Sequence, residues 1–295
     1  MKLNLQIELT NQCNFRCRYC PHSLYGETLT PGGNRFTRPL GSMSPSLFKK
    51  ATREAMCCAE HVSLGFFGEQ LLHPRFSEFI LSVPRERPFS LFLNTNWSLA
   101  TEDMLDALRR FDVVRISLDA ADKETWERLC PGGVVRDNRG IPGNGRYETL
   151  TEKIRWWLSL EDRPKTWIVC VRKQGNEGED EIVRMWKPLL RKGDCLVTKA
   201  MLTYGGVMRD PTMKPHACDV HQGGRFTVGW DGTCSPCNLD VNLELSVGNL
   251  NTQSVEEIVS SERWTDVMED IKARRGICAN CFDAGNHSQR FYHGE

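Results

Sequence analysis

The sequence has no excess of either charge. Thirty-eight Lys and Arg stand against thirty-eight Asp and Glu, so no overall field draws the chain to a nucleic-acid backbone. It also has no long apolar run. Nothing approaches the roughly 18 apolar residues of a membrane span, and the opening "MKLNLQIELT" lacks the apolar centre of a signal peptide. The chain is therefore expected in the cytoplasm, with no membrane partner. No internal repeat or low-complexity tract marks a solenoid or a disordered tail. What remains is an ordinary globular composition, 40% hydrophobic and 26% charged over 295 residues, long enough to bury roughly 75% of its unfolded surface. One large domain with an appendage is the natural expectation.

Cysteine, by contrast, is plentiful. Thirteen cysteines are too many for ordinary core use, and a reducing compartment argues against a disulfide framework, which leaves metal binding. Eight fall into two groups: Cys13, Cys17 and Cys20 near the start, then Cys218, Cys234, Cys237, Cys278 and Cys281 in the last third. Cys57, Cys58, Cys130, Cys170 and Cys195 lie in apolar-periodic segments and read as buried core thiols.

Between the groups the chain alternates strand-like and helical runs. Residues 3–10, 62–68, 91–96, 113–119, 166–172 and 195–202 read as strands, rich in β-branched and aromatic side chains. "SPSLFKKATREAMCCAE" opens as a helix with Ser44 as N-cap and Pro45 at its first position, and "TEDMLDALRR" opens with Thr101. Repeated β-α units imply an α/β fold with a parallel sheet of about six strands, open or curled into part of a barrel. Chemistry in such sheets sits beyond the C-terminal ends of the strands, where Cys13 to Cys20 fall. From about residue 205 the alternation stops. "GGRFTVGWDGTCSPC" reads as a β-hairpin turning at Asp231-Gly232, and "SVEEIVSSERWTDVMEDIKARR" reads as helical and leads to Cys278 and Cys281. Two long loops, 26–43 and 130–146, are of the length that is usually functional or disordered. The first is expected to be a substrate lid, with Arg35 and Arg38 as candidates for an anionic substrate group or as solvated loop charges.

The cluster "NQCNFRCRYCPH" admits two metal readings. Cys13, Cys17, Cys20 and His22 supply four ligands for a structural zinc, but the single residue between Cys20 and His22 is tighter than usual. Alternatively, three thiolates hold a four-iron cluster and leave one iron open for reaction. The latter spacing, with Tyr19 just before the last cysteine, resembles the radical S-adenosylmethionine (SAM) superfamily. The resemblance implies that SAM chelates the open iron through its methionyl amine and carboxylate.

Further segments resemble the family's motifs across nearly the whole chain. "FFGEQLLHP" resembles its Gly-Gly-Glu-Pro motif, which implies a contact of Gly68 and Glu69 with the SAM amine, although Phe67 and Gln70 depart from the pattern. "LNTNW" resembles its fourth-strand ending and points to Asn94 and Asn96. "RISLDAADKETWERL" resembles its "SLDG" strand end, so Ser117 and Asp119 are expected to line the site. The competing reading for these last four is helix capping. The fold then expected is a partial (β/α)6 barrel over residues 1–204 with a small cluster-binding extension, a hairpin plus helix, over 205–295.

The C-terminal cysteines resemble the SPASM or shorter twitch extension, which holds auxiliary iron–sulfur clusters. The match of "DGTCSPC" implies that Cys237 joins Cys218, Cys278 and Cys281 around a second [4Fe–4S] cluster, leaving Cys234 surplus; a competing alignment uses Gly229 and Cys234. A zinc ribbon, pairing Cys234 and Cys237 with Cys278 and Cys281, leaves Cys218 idle and needs a longer spacer than usual.

The function implied is that of a radical SAM enzyme. An electron from flavodoxin or ferredoxin drives cleavage of SAM to a 5′-deoxyadenosyl radical, which abstracts hydrogen from a peptide or sugar-like substrate. Epimerisation, oxidation and peptide cross-linking are all compatible, and the absence of a peptide-recognition domain before the first strand shifts the expectation away from long leader peptides. His22, Asp219, Asp240 and His287 lie near cluster cysteines and read as proton carriers or as surface and supporting residues. Cys234, on the opposite face of its strand from Cys237, is the candidate hydrogen donor to a substrate radical, against a spare core thiol or a cluster ligand. From a different class, a zinc-pinned binding module without turnover also fits the cysteine spacing, and would be colourless where an iron–sulfur protein is brown.

Overall fold

The computed structural model describes residues 2–24, 36–130, 134–143, 145–172, 178–200, 202, 204–205, 207, 218, 220, 224–281 and 289–295. Strands β1 (Leu3–Ile7), β2 (Ala59–Leu64), β3 (Ser90–Thr95), β4 (Val113–Ser117), β5 (Lys165–Arg172) and β6 (Cys195–Ala200) pair in parallel and in sequence order. Helices α1 (Pro45–Cys58), α2 (Phe76–Ser82), α3 (Leu105–Leu108), α4 (Lys123–Leu129), α5 (Arg146–Ser159) and α6 (Glu179–Trp186) fill the connections. The order never reverses, so right-handed crossovers put every helix on one face of the sheet. The fold is the mixed α/β partial barrel that the alternation implies.

The register fixes which side chains lie on each face. Leu5, Val62, Leu91 and Phe226 align across neighbouring strands, as do Ile116, Ile168 and Leu196. All are buried in the main core beneath the helices. The other face carries Gln6, Ser63, Phe92, Asn94, Arg115, Ser117, Trp167, Lys199 and Thr227. That inner face, which also carries Val169, Val171 and Val197, mixes polar, aromatic and aliphatic side chains and lines the barrel interior.

Local signals act largely as read. Ser44 accepts a hydrogen bond from the Leu47 amide (3.2 Å) with Pro45 inside the first turn. The segment from Thr101 differs. Its hydroxyl caps nothing, and only a 3-10 turn (Glu102–Met104) and the four-residue α3 form. The C-terminal helical run breaks into α7 (Val255–Val259) and α8 (Glu262–Lys272), because Ser261 caps the second helix through the Trp264 amide.

The extension continues the barrel's own sheet. Strand β7 (Arg225–Val228) adds in parallel to β1, and β8 (Thr233–Ser235) and β9 (Gly248–Asn249) continue the same sheet. The turn falls at Asp231-Gly232 as predicted, with Gly232 at φ +87°. At the other edge β10 (Arg290–His293) pairs antiparallel with β6. Among the described residues no helix is long and apolar enough to cross a membrane.

Candidate active site

The chain leaves β1 through Glu8, Leu9 and Thr10 into the cysteine loop, and every neighbouring strand end grips that loop. Gly68, just past β2, sits at φ +84°, and a Cβ there would lie 2.5 Å from Thr10 O and 2.6 Å from Gln12 O. Only glycine permits this approach. The Glu69 amide donates to Gln12 O (2.8 Å). The buried Glu69 carboxylate accepts from the Thr95 hydroxyl (2.7 Å), the Asn96 amide (2.6 Å) and the Leu71 amide (3.1 Å). Burial raises its pKa, and these donors oppose the shift. Asn96 in turn donates to Asn14 Oδ1 (3.0 Å), and Asn14 donates to Ser98 Oγ (2.8 Å). Asn14 lies between Cys13 and Cys17, so the ends of β2 and β3 hold the loop through one hydrogen-bonded chain.

The three thiols are half-buried and close enough to act on one another electrostatically. Burial pushes Cys13 up to about 12 and Cys20 up to about 11. Cys17 is raised first by a hydrogen bond with Cys130 and then by burial. Raised thiols need a strong Lewis acid to ionise them, which iron supplies. The Phe15 amide points at Cys13 Sγ (3.4 Å), the kind of N–H···S contact that tunes a cluster. His22 does not join them. It is buried, with Nε2 2.8 Å from Asn11 O, Nδ1 3.5 Å from Arg16 and its ring tilted against Phe36. With His22 engaged by Asn11 O, the loop offers Cys13, Cys17 and Cys20 as donors, and three thiols fit a three-thiolate cluster rather than a four-ligand zinc.

The remaining residues expected near SAM fall at the same end of the barrel. The Tyr19 hydroxyl donates to Asp119 and lies 3.4 Å from Cys130 Sγ, and Asp119 also accepts from the Val171 amide (2.7 Å). Ser117 is exposed at the end of β4. Asn94 donates to Ser63 Oγ (2.7 Å) on the inner face. None of Asn94, Asn96, Ser117 and Asp119 caps a described helix, and the cap of α4 is Asp122. Asn96 instead closes a local turn onto the Ser98 amide (2.9 Å).

In the C-terminal set, Cys237 has Cys281 and Cys218 as electrostatic neighbours, and Cys278 has Cys218. Burial pushes Cys237 far up and Cys278 up to about 11. The Leu239 amide points at Cys237 Sγ (3.4 Å), repeating the N–H···S contact of the first site. Asp240 is structural: its carboxylate accepts from the Glu244 (2.9 Å) and Leu245 (2.8 Å) amides and the Ser235 hydroxyl (3.1 Å). Asp219 and His287 lie outside the described residues.

Several expectations need correction. Cys234 does not face a cavity. Strand β8 ends at Ser235, so strand alternation does not extend to Cys237, and Cys234 is fully buried in the main core with Sγ donating to Gly232 O (3.3 Å). Arg38 is neither solvated nor available to a substrate. It is buried against Glu8 in a two-pronged ion pair (2.6 and 2.8 Å) and donates to Val241 O (2.9 Å). Residues 36–43 of the expected lid are thereby fixed to the barrel, and 26–35, Arg35 included, lie outside the described residues. Cys57 is exposed rather than buried, Cys58 is half-buried, and Cys130 is a buried neighbour of the reactive loop.

Sequence reading missed Asn14, Lys153, Arg115 and Lys199. Lys153 lies on the buried face of α5 with Leu150, Ile154 and Trp157 and donates to Ser98 O (3.0 Å). A lysine in an apolar helical stripe is the available signal, as is an arginine in the middle of "VVRIS".

Known proteins bear on these arrangements. The sequence matches the Radical SAM superfamily over residues 7–160 and the iron-sulfur cluster-binding SPASM domain over residues 218–282. The tungsten-containing aldehyde ferredoxin oxidoreductase cofactor-modifying protein of Pyrococcus furiosus is 31% identical over 119 residues, 39% of this chain and 30% of that protein. The S-adenosyl-L-methionine-dependent 2-deoxy-scyllo-inosamine dehydrogenase of Niallia circulans is 28% identical over 159 residues, 46% of this chain and 58% of that protein. The matches thus span less than two thirds of either relative. Among solved structures, BtrN in complex with AdoMet and 2-DOIA superposes with a TM-score of 0.63 at 18% identity, covering 96% of this chain and 94% of that one. Streptococcus suis SuiB bound to precursor peptide SuiA gives 0.65 at 12% identity, covering 95% and 70%. At such identities the structures speak for the fold. The family matches carry the conclusion: the chain belongs to the radical SAM superfamily and bears a SPASM-type extension, so its cofactors are SAM and [4Fe–4S] clusters.

Proposed function

We propose that this enzyme is a radical SAM dehydrogenase that oxidises a small hydroxylated molecule by two electrons. The observation that carries the cofactor assignment is the loop of Cys13, Cys17 and Cys20, three thiols gripped by strand ends while His22 is turned away to Asn11 O. When bound, the cluster and SAM supply the 5′-deoxyadenosyl radical that takes hydrogen from an unactivated carbon, and an auxiliary cluster supplies a sink for the remaining electron.

The chain's own residues hold and orient. Cys13, Cys17 and Cys20 ligate the first cluster, and Cys218, Cys237, Cys278 and Cys281 the second. Gly68 and Glu69 present backbone to the SAM amine, while Asn94, Asn96 and Ser117 line the rest of the cofactor site. Tyr19 and Asp119 brace the cysteine loop against β5 through the Val171 amide. Residues 1–204 form the barrel and 205–295 the extension, with flavodoxin or ferredoxin as reductant. Resemblance to the Niallia circulans dehydrogenase favours oxidation over epimerisation.

The test uses anaerobically reconstituted protein with SAM, reduced flavodoxin and a panel of cyclitols and sugars in deuterated water. The expected result is 5′-deoxyadenosine together with a product lacking two hydrogens. An isomeric product carrying carbon-bound deuterium would replace oxidation by epimerisation, and no 5′-deoxyadenosine under any condition would remove the reading altogether.

A further inference from the structure

The inner face of the barrel carries two cations that no described carboxylate pairs with. Arg115 on β4 and Lys199 on β6 share that face through the register Arg115–Trp167 and Ser117–Val169–Val197, with Val171 opposite Lys199. Lys199 therefore lies one rung nearer the mouth than Ser117, and Arg115 one rung deeper.

The Arg115 guanidinium is stacked, 4.4 Å from the Phe92 ring and 4.8 Å from the Trp167 ring. Such stacking fixes the plane of the fork and leaves its edge free to donate. Among the described residues it has no hydrogen-bond acceptor, and Nε is buried and unpartnered. Among the described residues the charged neighbours of Lys199 are Asp119, which attracts it, and Arg115, which repels it. Both Asp119 oxygens already accept hydrogen bonds, from Tyr19 and the Val171 amide. Among the described residues, His61 Nδ1 and Thr227 Oγ1 on the same face are also buried without partners.

A buried, unpaired donor is costly, and a stacked arginine fork is shaped for carboxylate or phosphate. The two groups have also been made reluctant cations. Burial lowers Arg115 to about 10, and burial and then the neighbouring Arg115 charge lower Lys199. An anion placed between them favours both charged forms by direct attraction and so offsets these shifts.

We propose that the barrel interior binds an anionic group of the substrate, a carboxylate or phosphate, through Arg115 and Lys199. This rests on the enzyme reading above and narrows its substrate to an acidic one. Lys199 at the mouth meets the group first and Arg115 anchors it, while the carbon to be oxidised stays at the strand ends beside the SAM site.

The test measures binding of inorganic phosphate and of malonate to the reconstituted protein by calorimetry at low ionic strength, with chloride as control. Arg115→Gln and Lys199→Gln should each weaken the preferred anion about tenfold or more, while Arg139→Gln, an exposed control, should not. Phosphate binding without malonate assigns a phosphoryl substrate, and the reverse assigns a carboxylate. In wild-type protein the preferred anion should also slow phenylglyoxal labelling of Arg115, read by mass spectrometry, which keeps the proposal testable should a variant misfold. Binding no stronger than chloride, unchanged affinity in folded variants, or unprotected Arg115 overturns it. Because SAM cleavage is measured separately, loss of this site and failure of the dehydrogenase reading leave different signatures.

Discussion

The two cysteine sets are held in different ways. The first is a short loop gripped from several strands: Gly68 pressed on its backbone, Glu69 bonded to Gln12, Asn96 bonded to Asn14, and Tyr19 bonded to Asp119. The second is assembled from points far apart in sequence, and its described supports are local, namely the Asp240 turn and the N–H···S contact at Cys237. A site where SAM must meet an open iron needs fixed geometry, whereas a closed four-thiolate site is ordered by its own cluster. The first should be largely preformed, and the second should depend on iron for its order.

The most disruptive way to break this contrast is to cut what the sets share. Glu8 accepts from Arg38, the Phe67 amide and the Trp230 amide, and Arg38 reaches Val241 O. This buried knot ties β1 to the end of β2 and to the extension. Arg38→Met leaves Glu8 buried without its counter-ion and should cost about 3–5 kcal/mol, read by urea unfolding. Iron content should fall at both sites. Loss at one site alone would show that the knot does not join them.

Single-site changes should separate the sets. Gly68→Ala forces a Cβ onto the Thr10 and Gln12 carbonyls at φ +84° and should cost about 2–4 kcal/mol, removing the first cluster's iron and leaving the second's. Asp240→Asn replaces a carboxylate that accepts at both oxygens by an amide that accepts at one. It should cost about 1–3 kcal/mol and deplete only the second. Iron-to-chain ratios and electron paramagnetic resonance of the reduced proteins distinguish the outcomes.

A pH test probes the support behind Asn96 and Ser98. Burial lowers Lys153 to about 8 from 10.5, with Asp137 and Glu69 opposing. Between those values the unfolded chain binds the extra proton, so folding stability rises with pH across that window. Relative to Lys153→Met, the wild type should gain on the order of 2 kcal/mol from pH 8 to 10.5. Parallel stability curves would show that the lysine is not desolvated. The smallest effect is expected at Cys234→Ala, about 1 kcal/mol for a small core void, with the iron count and SAM cleavage unchanged. Loss of iron there would return Cys234 to the ligand set.

Sequence alone reached furthest where one element decides the outcome. The strands were legible because the helix-covered face demands an apolar residue at every second position, from Leu5 to Leu196. Cysteine spacing marked both metal sets. Contacts across long separations were not legible. Arg38 read as a loop charge because its partner, Glu8, lies thirty residues away. The pairing of β7 with β1 spans the whole barrel domain in sequence, so no local signal reveals it. Cys234 read as facing a cavity because nothing in "TCSPC" shows that the strand ends at Ser235. Arg115 is not legible from sequence because a charge inside a strand acquires meaning only when the register places it on the inner face.

The central claim, two clusters on separate thiol sets, is tested most directly by iron analysis of anaerobically reconstituted protein whose Cys13, Cys17 and Cys20 are all replaced by alanine. Wild type should hold about eight irons per chain and the variant about four, with 5′-deoxyadenosine formation abolished and the second cluster's spectrum intact. A variant that still forms 5′-deoxyadenosine at the wild-type rate, or a wild type with about four irons and bound zinc, would contradict the account.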